Sequence, residues 1–96
     1  MAVYVITRIE VTDPVRYENY KALTPEAVAA HDGRFIVRGG EMEVLEGEPE
    51  HRRVVVVEFA DMDTARRFYD SEEYRAARAA REGAANVQMI VVAGAD

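Results

Sequence analysis

Hydrophobic residues in this chain follow two alternating periods. From Val3 to Val11 they fall at every second position, with Val3, Val5, Thr7, Ile9 and Val11 on one side and Tyr4, Ile6, Arg8 and Glu10 on the other, which predicts a strand. After Asp13 the period lengthens. Val15, Tyr17, Tyr20, Leu23, Ala27 and Val28 recur in steps of three and four, the stripe of an amphipathic helix. Asp13 is its expected N-cap, and Pro14 fills the first helical position, where a missing N–H costs nothing. Pro25 predicts a kink or break, and Asp32-Gly33 a stop with the glycine in the left-handed conformation.

The period returns to two from Arg34 to Arg38, with Phe35 and Val37 opposed to Ile36 and Arg38. Gly39-Gly40 predicts a bulge or bend, and Glu41 to Glu46 a short charged continuation of the kind that guards a sheet edge. After a turn over residues 47–51, Arg53 to Ala60 is the third strand. Its run Val54-Val55-Val56-Val57 predicts a central place, buried on both faces. Asp61 or Asp63 caps a second helix that turns Met62, Ala65, Phe68 and Tyr69 inward. Ser71 restarts it with acids in its first turn, Gly83 ends it, and Asn86 to Val92 is the last strand. The order β-α-β-β-α-β predicts an α+β fold, a ferredoxin-like split βαβ domain with a four-stranded antiparallel sheet and helices on one face.

Ninety-six residues make one domain, spanning 1–96. Zero cysteines exclude a disulfide framework and a thiolate site. A net charge of −6 argues against nucleic acid and anionic membrane surfaces as partners. The start Met1-Ala2-Val3-Tyr4 carries no basic stretch, and no apolar run is long enough to cross a bilayer, so a cytoplasmic protein is expected.

Two apolar sheet faces remain for one layer of helices. One carries Val5, Ile9, Phe35, Val37, Val55, Val57, Met89 and Val91; the other carries Tyr4, Ile6, Ile36, Val54, Val56, Ile90 and Val92. A large exposed apolar patch marks an association surface, and a two-fold pair is the commonest solution, so the second face predicts a homodimer packed sheet on sheet. Arg8, Glu10, Arg38, Glu58 and Gln88 share the parity of that second face. Charges there either pair with one another, as Arg38 with Glu58, or line a cleft that takes a ligand.

Several local groups resemble one known family: His31-Asp32-Gly33-Arg34-Phe35, Arg38-Gly39-Gly40, Glu46-Gly47, Val57-Glu58-Phe59, and Phe68-Tyr69-Asp70-Ser71 with Tyr74. As a set, from Tyr4 to about Val92, they resemble the domain-of-unknown-function 1330 family. The resemblance implies a largely bacterial protein with the dimeric α+β barrel fold and no established activity. The wider group includes heme-degrading and quinone-forming monooxygenases, muconolactone isomerases and chlorite dismutases, whose ligands sit between sheet and helices. Where many members have His-Gly-Gly, this chain has His31-Asp32-Gly33, which leaves the turn intact.

The candidate residues follow from their chemistry. His31 is the expected acid or base, set against a plainer role satisfying carbonyls at a helix end. Arg38 is the expected ligand anchor, because a guanidinium holds a carboxylate or phenolate with two parallel bonds. Glu58, Tyr4, Arg8 and Tyr69 are expected beside it. His51 reads as plain surface, Ser71 as a cap, and Arg75, Arg78 and Arg81 as a solvated helix face. Two histidines 20 positions apart (31 and 51) predict no metal site, and no cofactor is implied; His31 is the sole candidate for a heme ligand. The expectation is a small aromatic or acidic ligand in a cleft between sheet and helices, in a cofactor-free isomerase or monooxygenase-like enzyme or a binding protein. The alternative is a dimeric structural or protein-interaction module.

Overall fold

The computed structural model describes residues 1–95. Strand β1 (Val3–Val11) leads into helix α1 (Pro14–Ala29), then β2 (Arg34–Arg38) and β3 (Arg53–Phe59). Helices α2 (Met62–Asp70) and α3 (Glu72–Ala80) follow, and β4 (Ala85–Ala93) closes the chain. The four strands form one antiparallel sheet in the order β2-β3-β1-β4, the ferredoxin-like arrangement. The molecule is a slab of 32 × 31 × 17 Å, thin enough for one sheet and one layer of helices.

The helices sit where the sequence supplies caps. The Asp13 carboxylate accepts from the Arg16 N–H at the start of α1, and Asp61 does the same for Thr64 at the start of α2. Hydrogen bonds from Thr64 hold the Asp61 carboxyl below its ordinary value. Ser71 both ends α2 and starts α3: its hydroxyl donates to the Phe68 carbonyl at 2.7 Å and accepts from the Tyr74 N–H at 3.1 Å.

Between helices and sheet lie Val3, Val5, Ile9, Val57, Phe59, Tyr17, Tyr20, Ala27, Val28, Phe68 and Tyr74, all buried. The α1 stripe differs from expectation in two places. Val15 is 82% exposed and Leu23 also faces outward, while Thr24 is buried with its hydroxyl donating to the Tyr20 carbonyl at 2.7 Å. Pro25 does not break α1, which continues to Ala29. The turn after α1 also differs: Asp32 itself takes the left-handed conformation, at φ 55°. Gly33 is required for space, since a Cβ there would stand 2.6 Å from Phe59 Cε1 and 2.9 Å from Val28 Cγ1.

Two further corrections concern the sheet. Residues 41–46 form no strand, because the chain leaves β3 after Gly39 and loops outward. And β2 carries a bulge: Phe35 faces Val57, Val37 faces Val56 and Arg38 faces Val55. The extra residue moves Val37 to the open face and Arg38 to the helix face, reversing the predicted parity of both. Strand β3 is internal, as its valines imply, but Val54 and Val56 on the open face are only half-buried.

That open face is apolar at its centre. Ile6, Val54 and Val56 are half-buried, and Ile36, Val37, Ile90 and Val92 are exposed. No helix of the described residues is long and apolar enough to cross a membrane.

Candidate functional site

Two spaces open between the helices and the sheet. The larger, about 570 Å³, lies between α2 and β4 and is lined by Ala65, Arg66, Phe68, Tyr69, Asp70, Arg81, Val87, Met89 and Val91, among others. The smaller, about 30 Å³, is a chamber under α1 with room for about one water molecule. It is lined by Tyr17, Tyr20, Thr24, Tyr74, Lys21, Arg38 and Arg53 together with core aliphatic residues. Val5, Phe68 and Met89 belong to both linings, so one wall is common to the wide mouth and the narrow inner end. A ligand of drug size needs a few hundred Å³, which the mouth supplies and the inner chamber does not.

Cations collect along this cleft. The bulge in β2 turns Arg38 to the inner end, where its guanidinium stacks on Phe35 with Cζ 4.5 Å from the ring centroid. Its Nη2 also donates to the Lys21 carbonyl at 3.3 Å. That acceptor exists because of Pro25: in a helix, the carbonyl of residue 21 would accept from the N–H of residue 25, which proline lacks. Arg53 opens β3 on the same face, and Gly39, at φ 68°, lies so close to its guanidinium that any Cβ there would collide with it. Arg81, after α3, sits over the Tyr20 ring with Cζ 5.0 Å from the centroid. The Nε atoms of Arg53 and Arg81 are buried without a hydrogen-bond partner among the described residues. None of the four ion pairs there, Lys21–Glu18, Arg34–Glu58, Arg52–Glu50 and Arg66–Asp63, involves Arg38, Arg53 or Arg81. In a chain of net charge −6, Arg38 and Arg53 line the inner end and Arg81 the mouth, all three outside any ion pair among the described residues, with Asp70 the one carboxylate of the two linings.

Beside Arg81 the Tyr20 and Tyr74 hydroxyls meet at 2.6 Å, buried. Burial pushes the Tyr74 phenol far above its ordinary value, with its Tyr20 neighbour adding to the rise. Tyr74 therefore stays protonated and serves as a neutral hydrogen-bonding group, not as a base. Burial raises the Tyr17 phenol as well.

The residues singled out in the sequence divide between two faces. Arg38 lies at the inner end of the cleft and Tyr69 at its mouth, where Tyr69 is 41% exposed and packs under Arg78, with Cζ 4.0 Å from its ring centroid. Tyr4, Arg8 and Glu58 lie on the opposite, open face and do not share the cleft. Glu58 accepts from Tyr4 Oη at 3.1 Å and pairs with Arg34 at 3.0 Å; the expected Arg38–Glu58 pair is absent. The hydrogen bond to Glu58 and its charge raise the Tyr4 phenol. Arg8 reaches Gln88 at 3.4 Å. His31 is half-buried after α1, its Nδ1 3.1 Å from the Ala27 carbonyl and its ring edge-on to Phe68. His51 is exposed.

Arg53 and Arg81 were not anticipated. Arg81 shares helical spacing with Arg75 and Arg78, which suggested a solvated stripe, yet Arg78 and Arg81 are half-buried. The available signal was its neighbour Gly83, whose φ of 76° ends the helix and carries the chain down onto the sheet. Among the described residues there is no group of His, Asp or Glu fit to hold a metal ion.

Comparison with known proteins gives a family and a fold. The family described as "Domain of unknown function (DUF1330)" matches residues 2–95. No curated protein matches the sequence. Among solved structures, a protein of unknown function from Rhodopseudomonas palustris superposes with a TM-score of 0.77 at 15% identity, covering 99% of this chain and 83% of that one. A cofactor-independent oxygenase from Streptomyces nogalater gives 0.72 at 17% identity, covering 99% and 94%. A dimeric ferredoxin-like protein of unknown function from Thermobifida fusca gives 0.67 at 20% identity, covering 97% and 91%.

Proposed function

The chain belongs to the DUF1330 family, and from that premise we propose that it binds a small aromatic acid or phenolate in the cleft between helices and sheet, as a homodimer joined through its open sheet face. One observation carries the ligand: Arg38, Arg53 and Arg81 line the cleft with no carboxylate partner among the described residues. Guanidiniums left unneutralised in a partly apolar cleft favour an anion whose body is flat and apolar. Phe68, Met89, Val87 and Val91 would meet that body at the mouth, with Arg81 meeting its charge and Tyr69 its rim. Arg38 is the second anchor, at the inner end. The structural relative that is a cofactor-independent oxygenase favours a cofactor-free reaction of oxygenase or isomerase type in the same cleft. In such a reaction the protonated Tyr74, through Tyr20, would steady a developing negative charge. His31, with Nδ1 held at the Ala27 carbonyl, would act through Nε2.

The homodimer rests on the exposed Ile36, Val37, Ile90 and Val92 and on the dimeric state of relatives with this fold. That face also favours a second reading, a structural or protein-interaction module with no chemistry.

The test is a thermal-shift titration with benzoate, salicylate and 4-nitrophenolate on wild type, Arg81→Gln and Arg38→Gln. At ten times Kd a ligand adds about 1.4 kcal/mol to stability, a rise of several degrees for a domain this small. The expected result is such a rise in wild type and at least a tenfold weaker response in Arg81→Gln, the cost of a charge-assisted hydrogen bond. A flat response in all three proteins would leave the interaction-module reading standing.

A further inference from the structure

The inner chamber, at about 30 Å³, is too small for the aromatic body that the mouth takes. Its lining nevertheless contains Lys21, Arg38 and Arg53, and neither aspartate nor glutamate. Lys21 has a partner in Glu18 at 3.3 Å, whereas no ion pair among the described residues meets either guanidinium. Arg38 commits one of its N–H groups to the Lys21 carbonyl. Arg53 is half-buried, with Gly39 packed against its guanidinium and its buried Nε left without an acceptor. Arg38 lies opposite Val55, and Arg53 stands two residues earlier on β3, so the two are diagonal neighbours within side-chain reach. Like charges so placed repel, and a guanidinium partly removed from water without a partner costs free energy that a counter-ion recovers.

We propose that the inner chamber is a separate site for one small, singly charged inorganic anion, a halide such as chloride, held between Arg38 and Arg53. Size sets the class. The chamber has room for about one water molecule, which a halide slightly exceeds and a sulfate or phosphate far exceeds. Hydration narrows it further. The walls include Val5, Ile9, Phe35 and Val55, which offer nothing to replace a tightly held water shell, so a weakly hydrated ion is favoured over fluoride. A guanidinium is itself weakly hydrated and suits such a partner. Tyr17 adds a second kind of donor. Burial raises its phenol, and the neighbouring Arg53 guanidinium only partly opposes that rise, so the hydroxyl keeps its proton. Arg38 is exposed and gives the ion a route from solvent. The bound ion neutralises two charges that the fold places side by side, and so ties β2 to β3 at the bulge. This site goes beyond the aromatic-ligand reading and does not depend on it.

The experiment is a thermal-shift titration in which sodium chloride or bromide replaces sodium gluconate, with ionic strength held at about 0.15 M so that screening stays constant. Wild type is compared with Arg53→Gln and with Arg75→Gln, a change at an exposed position outside both linings. The expected result is a saturable rise in wild type and Arg75→Gln with either halide. Arg53→Gln should need at least tenfold more halide for the same rise, the loss of a charge-assisted hydrogen bond. Equal rises in wild type and Arg53→Gln reflect a general salt effect and overturn the site, as does a flat response in wild type. A second measurement needs no variant: anomalous diffraction from wild-type crystals soaked in bromide should show a peak within hydrogen-bond distance of Arg38 or Arg53. No peak in the chamber overturns the site, and a peak without the saturable rise marks an adventitious ion only and overturns it as well. A parallel benzoate titration separates the two readings. A flat halide response with the benzoate response kept removes the ion alone, and the converse removes the aromatic ligand alone.

Discussion

At Gly33 a single hydrogen separates the turn after α1 from the aromatic floor beneath it. A methyl group placed there would stand 2.6 Å from Phe59 Cε1, and Phe59 is 1% exposed, with its ring 4.8 Å from that of Phe68. Neither ring has room to retreat in a packed interior. Gly33→Ala should therefore destabilise the protein by about 1–3 kcal/mol, the usual cost of overpacking, read as a lower urea midpoint with an unchanged slope. An unchanged midpoint would mean that the turn shifts outward freely. The neighbouring Asp32 holds the left-handed conformation that a sequence reading gives to the glycine. Aspartate tolerates that region, so the dipeptide alone does not reveal which residue bends and which makes room. The same limit applies to Arg38. Its chemistry is legible in the sequence, but its side of the sheet depends on a bulge fixed by pairing with β3. One residue of slip exchanges the two faces, and it moved Arg38 from the open face to the cleft.

Elements were more legible than side-chain neighbourhoods because caps and periods are local signals. Asp13 and Ser71 cap α1 and α3 as read, Asp61 rather than Asp63 caps α2, and β1 and β2 begin and end where their alternation does. The exceptions are places where two elements negotiate. Pro25 stays within α1, and the carbonyl it frees at Lys21 is taken up by Arg38 from β2. Arg81 looks solvated on its own helix and becomes part of a cleft only when α3 lies against α1 and its ring of Tyr20. Ser71 carries a burden of the same kind, joining two helices with one hydroxyl that both donates and accepts. Ser71→Ala removes the cap of α3 and the tie to α2 together, and should cost about 1–2 kcal/mol in a denaturant titration. Ser71→Asp, which keeps the acceptor for the Tyr74 N–H, should recover part of that loss. Equal losses in both variants would show that the donated bond to Phe68 carries the effect.

At the scale of the whole molecule the governing fact is the unequal treatment of the two sheet faces. A slab 17 Å thick has a single helical layer, so every apolar side chain on the far face stays in contact with water unless another molecule covers it. On that face the polar groups satisfy one another around the margin: Tyr4 with Glu58 and Arg34, Arg8 with Gln88, and Asn86 with Glu10 at 2.8 Å. The centre, around Ile6, Val56 and Ile90, has no such remedy, and a polar rim about an apolar centre is the anatomy of an interface. A charge introduced at the centre tests the arrangement without touching the cleft, since Val56 pairs across to Ile6 and lines neither space between helices and sheet. Val56→Asp should give a particle near the 10.8 kDa of one chain, and wild type one of twice that mass. The covered partner makes the buried carboxylate costly only in the dimer, so the fold of the single chain should survive. If the mass of Val56→Asp equals that of wild type, the open face is not where two copies meet, and the apolar centre must serve a different molecule.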